Sequence, residues 1–360
     1  MIILKQVKTV DGRVSDVRIP SAIERTVDAQ GLLLIPGLID THISLGSSRR
    51  PGWASVVESA VKGGVTAVID IPSESAPTTN QEELTEKKEL ARQRLVDLGM
   101  PLRHYLYSQA HSAYEEEAVV GKTEAVGSLI LFNPGACHFE ETLWETIFRL
   151  AAWRNIPVVI NAANEQKWEE ARFGTTRATL LEKSIHYAEK RNTRLYVLNV
   201  GSKEELDLIE KARSRALLIY AETTPLHLFS SDESCADFLW EAIASGKIEI
   251  IGSGYAAESP AMERLVVSSV SFDFSDPAFL LPLLFTAYSE GKIALDKVIC
   301  ATRANVYDLF ELDRNDADVV LVNPTTERSF QRVGIHGSRA ITLKGWPEYT
   351  IAGGQVIVSG

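Results

Sequence analysis

The sequence predicts an α/β protein: a (β/α)8 TIM barrel with a small β-sandwich built from both ends of the chain. Two observations predict it. Short apolar segments alternate with amphipathic helical segments through the middle of the chain, and both ends consist of β segments broken by Gly, Asp and Pro. Parallel strands need crossover connections, so this alternation indicates a parallel sheet covered by helices. The predicted domains are the barrel over residues 32–316 and the sandwich over residues 2–31 plus 317–358.

The barrel prediction rests on counting candidate strands and the helices between them. Eight segments qualify as strands: Leu32–Ile39, Ala67–Ile71, Leu102–Tyr107, Leu129–Phe132, Pro157–Ile160, Leu195–Val200, Ala216–Tyr220 and Glu249–Ser253. The candidate helices are Gln81–Leu98, Phe139–Trp153, Ala178–Lys190, Lys203–Ser214, Pro277–Ser289 and Asp296–Leu309. In the fourth of these helices, the apolar residues Leu206, Leu208 and Ile209, followed by Ala212, have a spacing that suits one buried face.

The sandwich prediction rests on β segments at the two ends. Residues 2–31 contain a strand pair around an Asp-Gly turn, so the chain begins as an excised domain would. The matching C-terminal segments are Ala317–Val322, Ser338–Leu343 and Tyr349–Val358. A Gly353-Gly354 turn would complete the last hairpin.

Composition narrows the function class. With 360 residues, 45% of them hydrophobic and 24% charged, the chain is typical of a soluble globular protein with a large core. The net charge of −11 argues against nucleic acid and anionic membranes as partners. Cys137, Cys235 and Cys300 are widely spaced without a CxxC pattern, which favours a reducing compartment and excludes a cysteine-based zinc site. No signal peptide or membrane span is apparent, so the predicted location is the cytoplasm.

The first predicted barrel strand ends in a half-preserved metal motif. Amidohydrolase-type barrels begin their metal site with Asp-x-His-x-His, because two histidines at i and i+2 of a strand point to the same side. Here the motif is Asp40-Thr41-His42-Ile43-Ser44. A serine hydroxyl is a poor zinc ligand near neutral pH, so the pair is half lost.

With the strands placed, the sequence resembles dihydroorotases over nearly its whole length. Residues 36–45, PGLIDTHISL, resemble the first strand of that family, and residues 63–72 resemble its second. Residues 221–229, AETTPLHLF, resemble the family segment Glu-x-x-Pro-His-His-Leu. This resemblance implies a barrel whose ancestral reaction opens or closes a cyclic amide with a water activated by one or two zinc ions.

The same resemblance implies that the site has decayed. Seven positions of the family's site fall on other residue types in this sequence. They are the second histidine at Ser44, the substrate-binding Arg at Gly46, the substrate-contacting Asn at Ser73, the carboxylated Lys at Leu129, the histidines of strands five and six at Asn161 and Asn199, and the general-base Asp at Gly254. The histidine after that Asp falls on Tyr255. The segment between Phe229 and Ile248 is too short for the family's Arg-bearing loop. A tetrahedral zinc site needs at least three protein ligands. We therefore expect no catalytic residue, no metal and no cofactor.

The polar residues that remain are interpreted as structural. We expect His42 to be a hydrogen-bonded barrel histidine, Glu222 to be paired by a neighbouring donor, and His227 to anchor its loop. Asn161 and Asn199 are expected to bond to each other across the old cavity. An anion site formed by Arg49, Arg50, Arg172 and Arg177 is the weaker alternative to solvated loop charges. Asp70 is an ion-pair candidate, and Ser47-Ser48 lacks a base that would make either serine a nucleophile.

The function that this pattern predicts is structural. It resembles the inactive dihydroorotase-like domain of fungal multifunctional pyrimidine-synthesis proteins, which lies between carbamoyl phosphate synthetase and aspartate transcarbamoylase. That resemblance implies scaffolding of these two partners and a homodimer formed through barrel helices. One alternative is a separate bacterial pseudo-dihydroorotase subunit that assembles with aspartate transcarbamoylase. The other is an amidohydrolase with a relocated site at His42, Glu222 and His227.

Overall fold

The computed structural model describes residues 1–50, 52–73, 78–110, 125–131, 141–161, 177–229, 233–258, 263–334 and 337–359. The strands of these residues are β1 Ile2–Thr9, β2 Val14–Ile19, β3 Arg25–Asp28, β4 Leu33–Pro36, β5 Leu38–Ser44, β6 Val65–Asp70, β7 Arg103–Gln109, β8 Gly127–Leu131, β9 Val158–Asn161, β10 Leu195–Leu198, β11 Ile219–Thr223, β12 Ile250–Ile251, β13 Tyr255–Ala256, β14 Arg264–Val267, β15 Val270–Asp273, β16 Val319–Gly334, β17 Gly337–Ala352 and β18 Gln355–Val358.

Helices connect and cover these strands. They are α1 Trp53–Lys62, α2 Gln81–Asp97, α3 Glu141–Arg154, α4 Arg177–Arg191, α5 Lys203–Arg213, α6 Pro225–Leu228, α7 Glu233–Ala244, α8 Leu280–Ser289, α9 Leu295–Ile299 and α10 Asn305–Phe310. The α5 helix begins with a capping box, in which Ser202 and Glu205 satisfy each other's backbone N–H groups. Each helix of the described residues is too short or too polar to cross a bilayer.

The described barrel strands form a closed parallel barrel. Strands β5 to β11 pair with their neighbours in chain order. The eighth strand is split at Gly252-Ser253-Gly254: its first half, β12, pairs with β11, and its second half, β13, pairs with β5. This change of partner closes the ring, which confirms the predicted α/β barrel.

Apolar and aromatic side chains fill the inside of the barrel. Inside the ring, Leu129, Tyr107 and Tyr196 pack in a cluster that α10 completes from the end where the strands begin. The ring centroid of Phe310 lies 5.6 Å from that of Tyr196 and 5.9 Å from that of Tyr107. The interior is therefore a packed core below the level of the candidate site, as in other barrels of this type.

The two ends of the chain meet in one sheet beside the barrel. Its strand order is β15-β14-β16-β4-β1-β2, with β3 on β1 and the β17–β18 hairpin on β16. The sheet includes β4 and the β14–β15 hairpin, which lie within the range predicted for the barrel. The ion pair between Arg103 of β7 and the buried Asp318, at 2.9 Å, ties the barrel to this sheet.

Several element boundaries differ from the prediction. The predicted first barrel strand, 32–39, is wrong in its bounds because the chain changes sheets at Gly37, where a Cβ atom would lie 2.4 Å from Thr66. The seventh strand both begins and ends three residues later than predicted, so Glu222 lies inside it. The predicted helix 296–309 is interrupted by a π turn at Cys300–Ala304. Phe132 and Phe139, at the ends of two predicted elements, lie outside the described residues.

A buried ion pair fastens α2 to the barrel wall, as the sequence suggested for Asp70. The Lys87 ammonium lies 2.9 Å from Asp70 Oδ2, and His104 Nε2 lies 3.0 Å from the same oxygen. Asp70 Oδ1 accepts the Leu45 N–H at 2.9 Å. Burial by itself would raise the pKa of Asp70, but the ammonium and the imidazole lower it by more, so the net shift is downward.

We expect Asp70→Asn to lower the free energy of unfolding at neutral pH by about 3–5 kcal/mol, because it leaves a buried cation without its counter-charge. Since the folded-state pKa of Asp70 is lowered, its stabilisation is present above the unfolded value of about 3.9 and is lost as the pH falls through the folded-state pKa. The difference between variant and parent should therefore shrink in acid. Urea titrations at neutral and acid pH measure it.

The matched control is Glu89→Gln, which removes an exposed ion pair with Arg92 from the same helix. Its stability should match the parent at both pH values. A loss for Asp70→Asn that does not change with pH would contradict the electrostatic origin.

Candidate functional site

The centre of the candidate site is a buried pair between His42 of β5 and Glu222 of β11. His42 Nδ1 lies 3.0 Å from Glu222 Oε1. The other carboxylate oxygen, Oε2, accepts the backbone N–H of Asn199 at 2.7 Å. Both Glu222 oxygens are therefore occupied, which confirms the expectation that a neighbouring donor pairs this residue. Burial lowers the pKa of His42, but the Glu222 and Asp40 carboxylates raise it by more, so the net shift is upward.

Asp40 holds the seam where the eighth strand meets the first. Its Oδ1 accepts the backbone N–H groups of His42, at 3.1 Å, and Ser253, at 2.9 Å. Its Oδ2 is buried and has no hydrogen-bond partner among the described residues. Burial raises the pKa of Asp40, and the bonds from Ser253 and His42 offset this only in part. Asp40 thus joins the first barrel strand, on which His42 also lies, to the eighth strand.

The two asparagines that replace family histidines bond to each other. Asn199 Nδ2 donates to Asn161 Oδ1 at 3.0 Å, as the sequence suggested. Asn199 adopts a left-handed backbone with φ of 59°, a conformation that Asn tolerates better than most residues. Its N–H donates to Glu222, so Asn199 contributes both its backbone and its side chain to the network.

The other vestigial positions carry no ligand chemistry that would hold a zinc ion. The Ser44 hydroxyl donates to the Ile71 carbonyl at 3.2 Å. Leu129, at the position of the carboxylated lysine, is fully buried in the barrel interior. Ser73 lies partly buried just after β6. Among the described residues, no group of three or more His, Cys, Asp or Glu side chains could hold a metal. The donors present therefore do not fit the zinc ions that the family resemblance implies.

Two glycines at family site positions lie where side chains are hard to accommodate. A Cβ atom on Gly46 would lie 2.8 Å from the Glu258 carboxylate, which forms a 3.5 Å ion pair with Arg50. Gly254 has a φ of 74°, and a Cβ atom there would lie 3.0 Å from Thr224 Cγ2. Gly46 also has a positive φ, of 68°, so any residue with a Cβ atom is strained at either position, and at Gly254 it is crowded as well.

A layer of tyrosines below the site was missed by the sequence reasoning. The Tyr107 hydroxyl donates to the Thr41 carbonyl at 2.9 Å, and the Tyr196 hydroxyl lies 2.8 Å from Thr41 Oγ1. Burial raises the pKa of both tyrosines well above the ordinary value, so both stay neutral. Tyrosine at alternate positions of β7 was the available signal, although it indicates burial and not a role.

The arginines considered for an anion site face carboxylates. Arg49 lies 2.7 Å from Glu86, and Arg177 lies 2.6 Å from Glu205. Arg50 is paired with Glu258, as described above, and Arg172 lies outside the described residues. These ion pairs favour the interpretation of solvated or structural charges.

His227 lies in α6, immediately after the strand that carries Glu222. Its imidazole packs against the backbone of Gly201, where a Cβ atom would lie 3.2 Å from the ring. The loop after β10 and the helix after β11 therefore meet through this ring, which agrees with an anchoring role.

Comparisons with known proteins agree with this fold. No protein-family model matches the chain. The dihydroorotase of Halobacterium salinarum is 23% identical over 396 residues, which cover 94% of this chain and 90% of that protein. The multifunctional protein CAD of Squalus acanthias is 23% identical over 318 residues, which cover 80% of this chain and 13% of that much longer protein.

Solved structures share the architecture. The dihydropyrimidinase from Brevibacillus agri has a TM-score of 0.74 at 18% identity, covering 99% of this chain and 94% of that chain. The inactive dihydroorotase-like domain of the Chaetomium thermophilum CAD-like multifunctional protein has a TM-score of 0.65 at 18% identity, covering 90% and 94%. Together the comparisons confirm the resemblance to dihydroorotases that the strand motifs indicated.

We expect the imidazole of His42 to stay protonated above the ordinary pKa of about 6.5. In Glu222→Gln the pKa of His42 should fall, because the carboxylate that raises it is replaced by an amide. Histidine-detected NMR titrations of the two proteins measure this change. An unchanged His42 titration would contradict the pairing.

We also expect Gly254→Ala to destabilise the protein by more than Gly246→Ala. Both glycines have a positive φ, but a Cβ atom on Gly246 meets nothing within 4 Å. Gly246→Ala should therefore cost about 1–2 kcal/mol for its backbone conformation alone, and Gly254→Ala should add the contact with Thr224. Urea denaturation compares the two. Equal losses would mean that Thr224 moves aside freely.

Proposed function

We propose that this chain is a catalytically inactive dihydroorotase-like domain with a structural role in pyrimidine biosynthesis. Its proposed partners are carbamoyl phosphate synthetase and aspartate transcarbamoylase, and it is proposed to form a homodimer. The likeness to an inactive domain of a CAD-like protein and the relationship to CAD support this proposal. The homologues named dihydroorotase support only the ancestry.

The single observation that carries the proposal is the His42–Glu222 bond. His42 is the one histidine at a family ligand position, and its Nδ1 is hydrogen-bonded to Glu222 Oε1. The other oxygen of Glu222 accepts the backbone N–H of Asn199. Activation of water by zinc requires ligands that converge on one point with an open position left for the water. His42 and Glu222 instead bond to each other, although Asp40 Oδ2 beside them stays without a partner among the described residues.

The alternative of a relocated amidohydrolase site is less well supported. A general base at Glu222 would need a free carboxylate oxygen facing a substrate. Both of its oxygens already accept hydrogen bonds, and the residue is fully buried. A stand-alone subunit that assembles with aspartate transcarbamoylase would have the same barrel, so this second alternative differs only in how the chain is encoded.

Metal content and turnover test the inactivity. Plasma mass spectrometry of the purified, untagged protein should find zinc well below one equivalent per chain, and assays in both directions should detect no dihydroorotate turnover. The dihydroorotase of Halobacterium salinarum, prepared alongside, is the positive control. One tightly held equivalent of zinc together with turnover would overturn the proposal.

A restoration variant separates a decayed site from one that lacks only its ligands. It carries Ser44→His, Leu129→Lys, Asn161→His, Asn199→His and Gly254→Asp. We expect no turnover, because an Asp at position 254 would adopt a strained positive φ against Thr224, Gly46 supplies no substrate-binding Arg, and the family loop is missing. Turnover by this variant would show that the barrel has kept a usable substrate pocket. Co-sedimentation of the parent with each of the two proposed partner enzymes tests the structural role separately.

A further inference from the structure

The terminal sheet has one long edge that no described strand covers. Strand β17 pairs with β16 along its length, whereas β18 covers only its last residues, Tyr349–Ala352. Within the described residues, the outer edge of residues 337–343 has no neighbouring strand. Unpaired backbone groups on such an edge are a template for another strand.

The direction of the backbone groups on this edge follows from one hydrogen bond. The Lys344 N–H donates to the Thr286 hydroxyl at 2.8 Å, so it points away from β16. Backbone groups of a strand alternate between its two neighbours. The N–H and C=O groups of Thr342, Ala340 and Ser338 therefore also point outward, and all three residues are exposed.

The edge lacks the usual devices that block strand addition. Residues 337–343 contain no proline and only one charged residue, Arg339. The pairing of β17 with β16 is regular, without a bulge, from the Glu327–Lys344 pair to the end of the hairpin. Natural edge strands are usually shortened, charged, bulged or covered. This one is regular and accessible over three successive outward residues.

We propose that a second copy of this chain pairs antiparallel with this edge, with Ala340 of each copy opposite the other on a two-fold axis. In this register Ser338 of each copy lies opposite Thr342 of the other. Each of the three outward residues then exchanges two backbone hydrogen bonds with its opposite residue. The strands β15, β14, β16 and β17 of one copy then form a continuous sheet with the same four strands of the other copy.

The side chains of the edge favour a second copy over a foreign peptide. On the outer face, Ser338, Ala340 and Thr342 form a row of small residues, and Thr342 already meets Ser329 within the chain at 2.9 Å. Strand addition of a foreign peptide takes its specificity from pockets for alternate side chains, and a row of small residues offers no such pockets. An identical flat strand fits it.

Charge also permits this register. Arg339 faces the other side of the sheet and donates to the Phe229 carbonyl at 2.8 Å. Opposite it in the second copy lies Ile341, so no like charges are directly opposed. The inference rests on the homodimer of the proposed function and places its interface on this edge strand, where the family resemblance implied barrel helices; a dimer that Ala340→Pro leaves intact would overturn the interface and keep the homodimer.

A cysteine on the axis tests the register. In a hydrogen-bonded antiparallel pair the Cα atoms are about 5.5 Å apart, which suits a disulfide. Under mild oxidation Ala340→Cys should form covalent dimers in high yield. The matched control is Gln331→Cys, on the same face one strand further in, whose Cα atoms would be about 14 Å apart at a strand spacing of about 4.8 Å. It should crosslink no more than the parent.

A second variant tests the interface in solution. Ala340→Pro removes an outward N–H that the fold does not use, and edge positions tolerate proline. Sedimentation equilibrium should show a dimeric parent, an Ala340→Pro variant with at least about a tenfold weaker dimer, and an unchanged dimer for Gln331→Lys. The circular dichroism spectra of the three should match. A monomeric parent would overturn the proposal, as would a dimer that Ala340→Pro leaves unchanged or equal crosslinking by both cysteine variants.

Discussion

The fold of the candidate site depends on two buried carboxylates that join barrel strands distant in sequence. Glu222 of the seventh strand binds His42 of the first and the backbone of Asn199 beyond the sixth. Asp40 of the first strand binds the backbone of the eighth at Ser253. Buried carboxylates are costly unless they are bonded, so these contacts define how the strands meet at the closing seam.

This dependence gives Asp40 and His42 a structural role. Each makes hydrogen bonds that join barrel strands. A packed barrel core is stable without the chemistry at its rim, so under the proposed function the positions of Ser44, Leu129 and Gly254 need not carry zinc ligands. Leu129 even adds to the apolar interior that Tyr107 and Tyr196 build.

The structural comparisons carry different weight from the site geometry. The chain has the fold of a dihydropyrimidinase and of a domain described as inactive, at the same 18% identity. A shared fold at this level does not decide between catalysis and scaffolding. The site geometry bears on that question directly: the Asn161–Asn199 pair and the His42–Glu222 pair bond side chains to each other, and Leu129 is buried among apolar residues.

The sequence by itself determined the barrel and which side chains the candidate site can offer. Alternating apolar strands and amphipathic helices are local patterns, and whether a side chain can bind zinc depends on its identity, as Leu129 and Gly254 show. Only the tertiary structure decided the partners of Glu222, the split of the eighth strand, the transfer of Leu33–Pro36 to the terminal sheet and the Arg50–Glu258 pair beside Gly46. These features join residues far apart in the chain, whose distances depend on how the whole barrel closes and not on local preference.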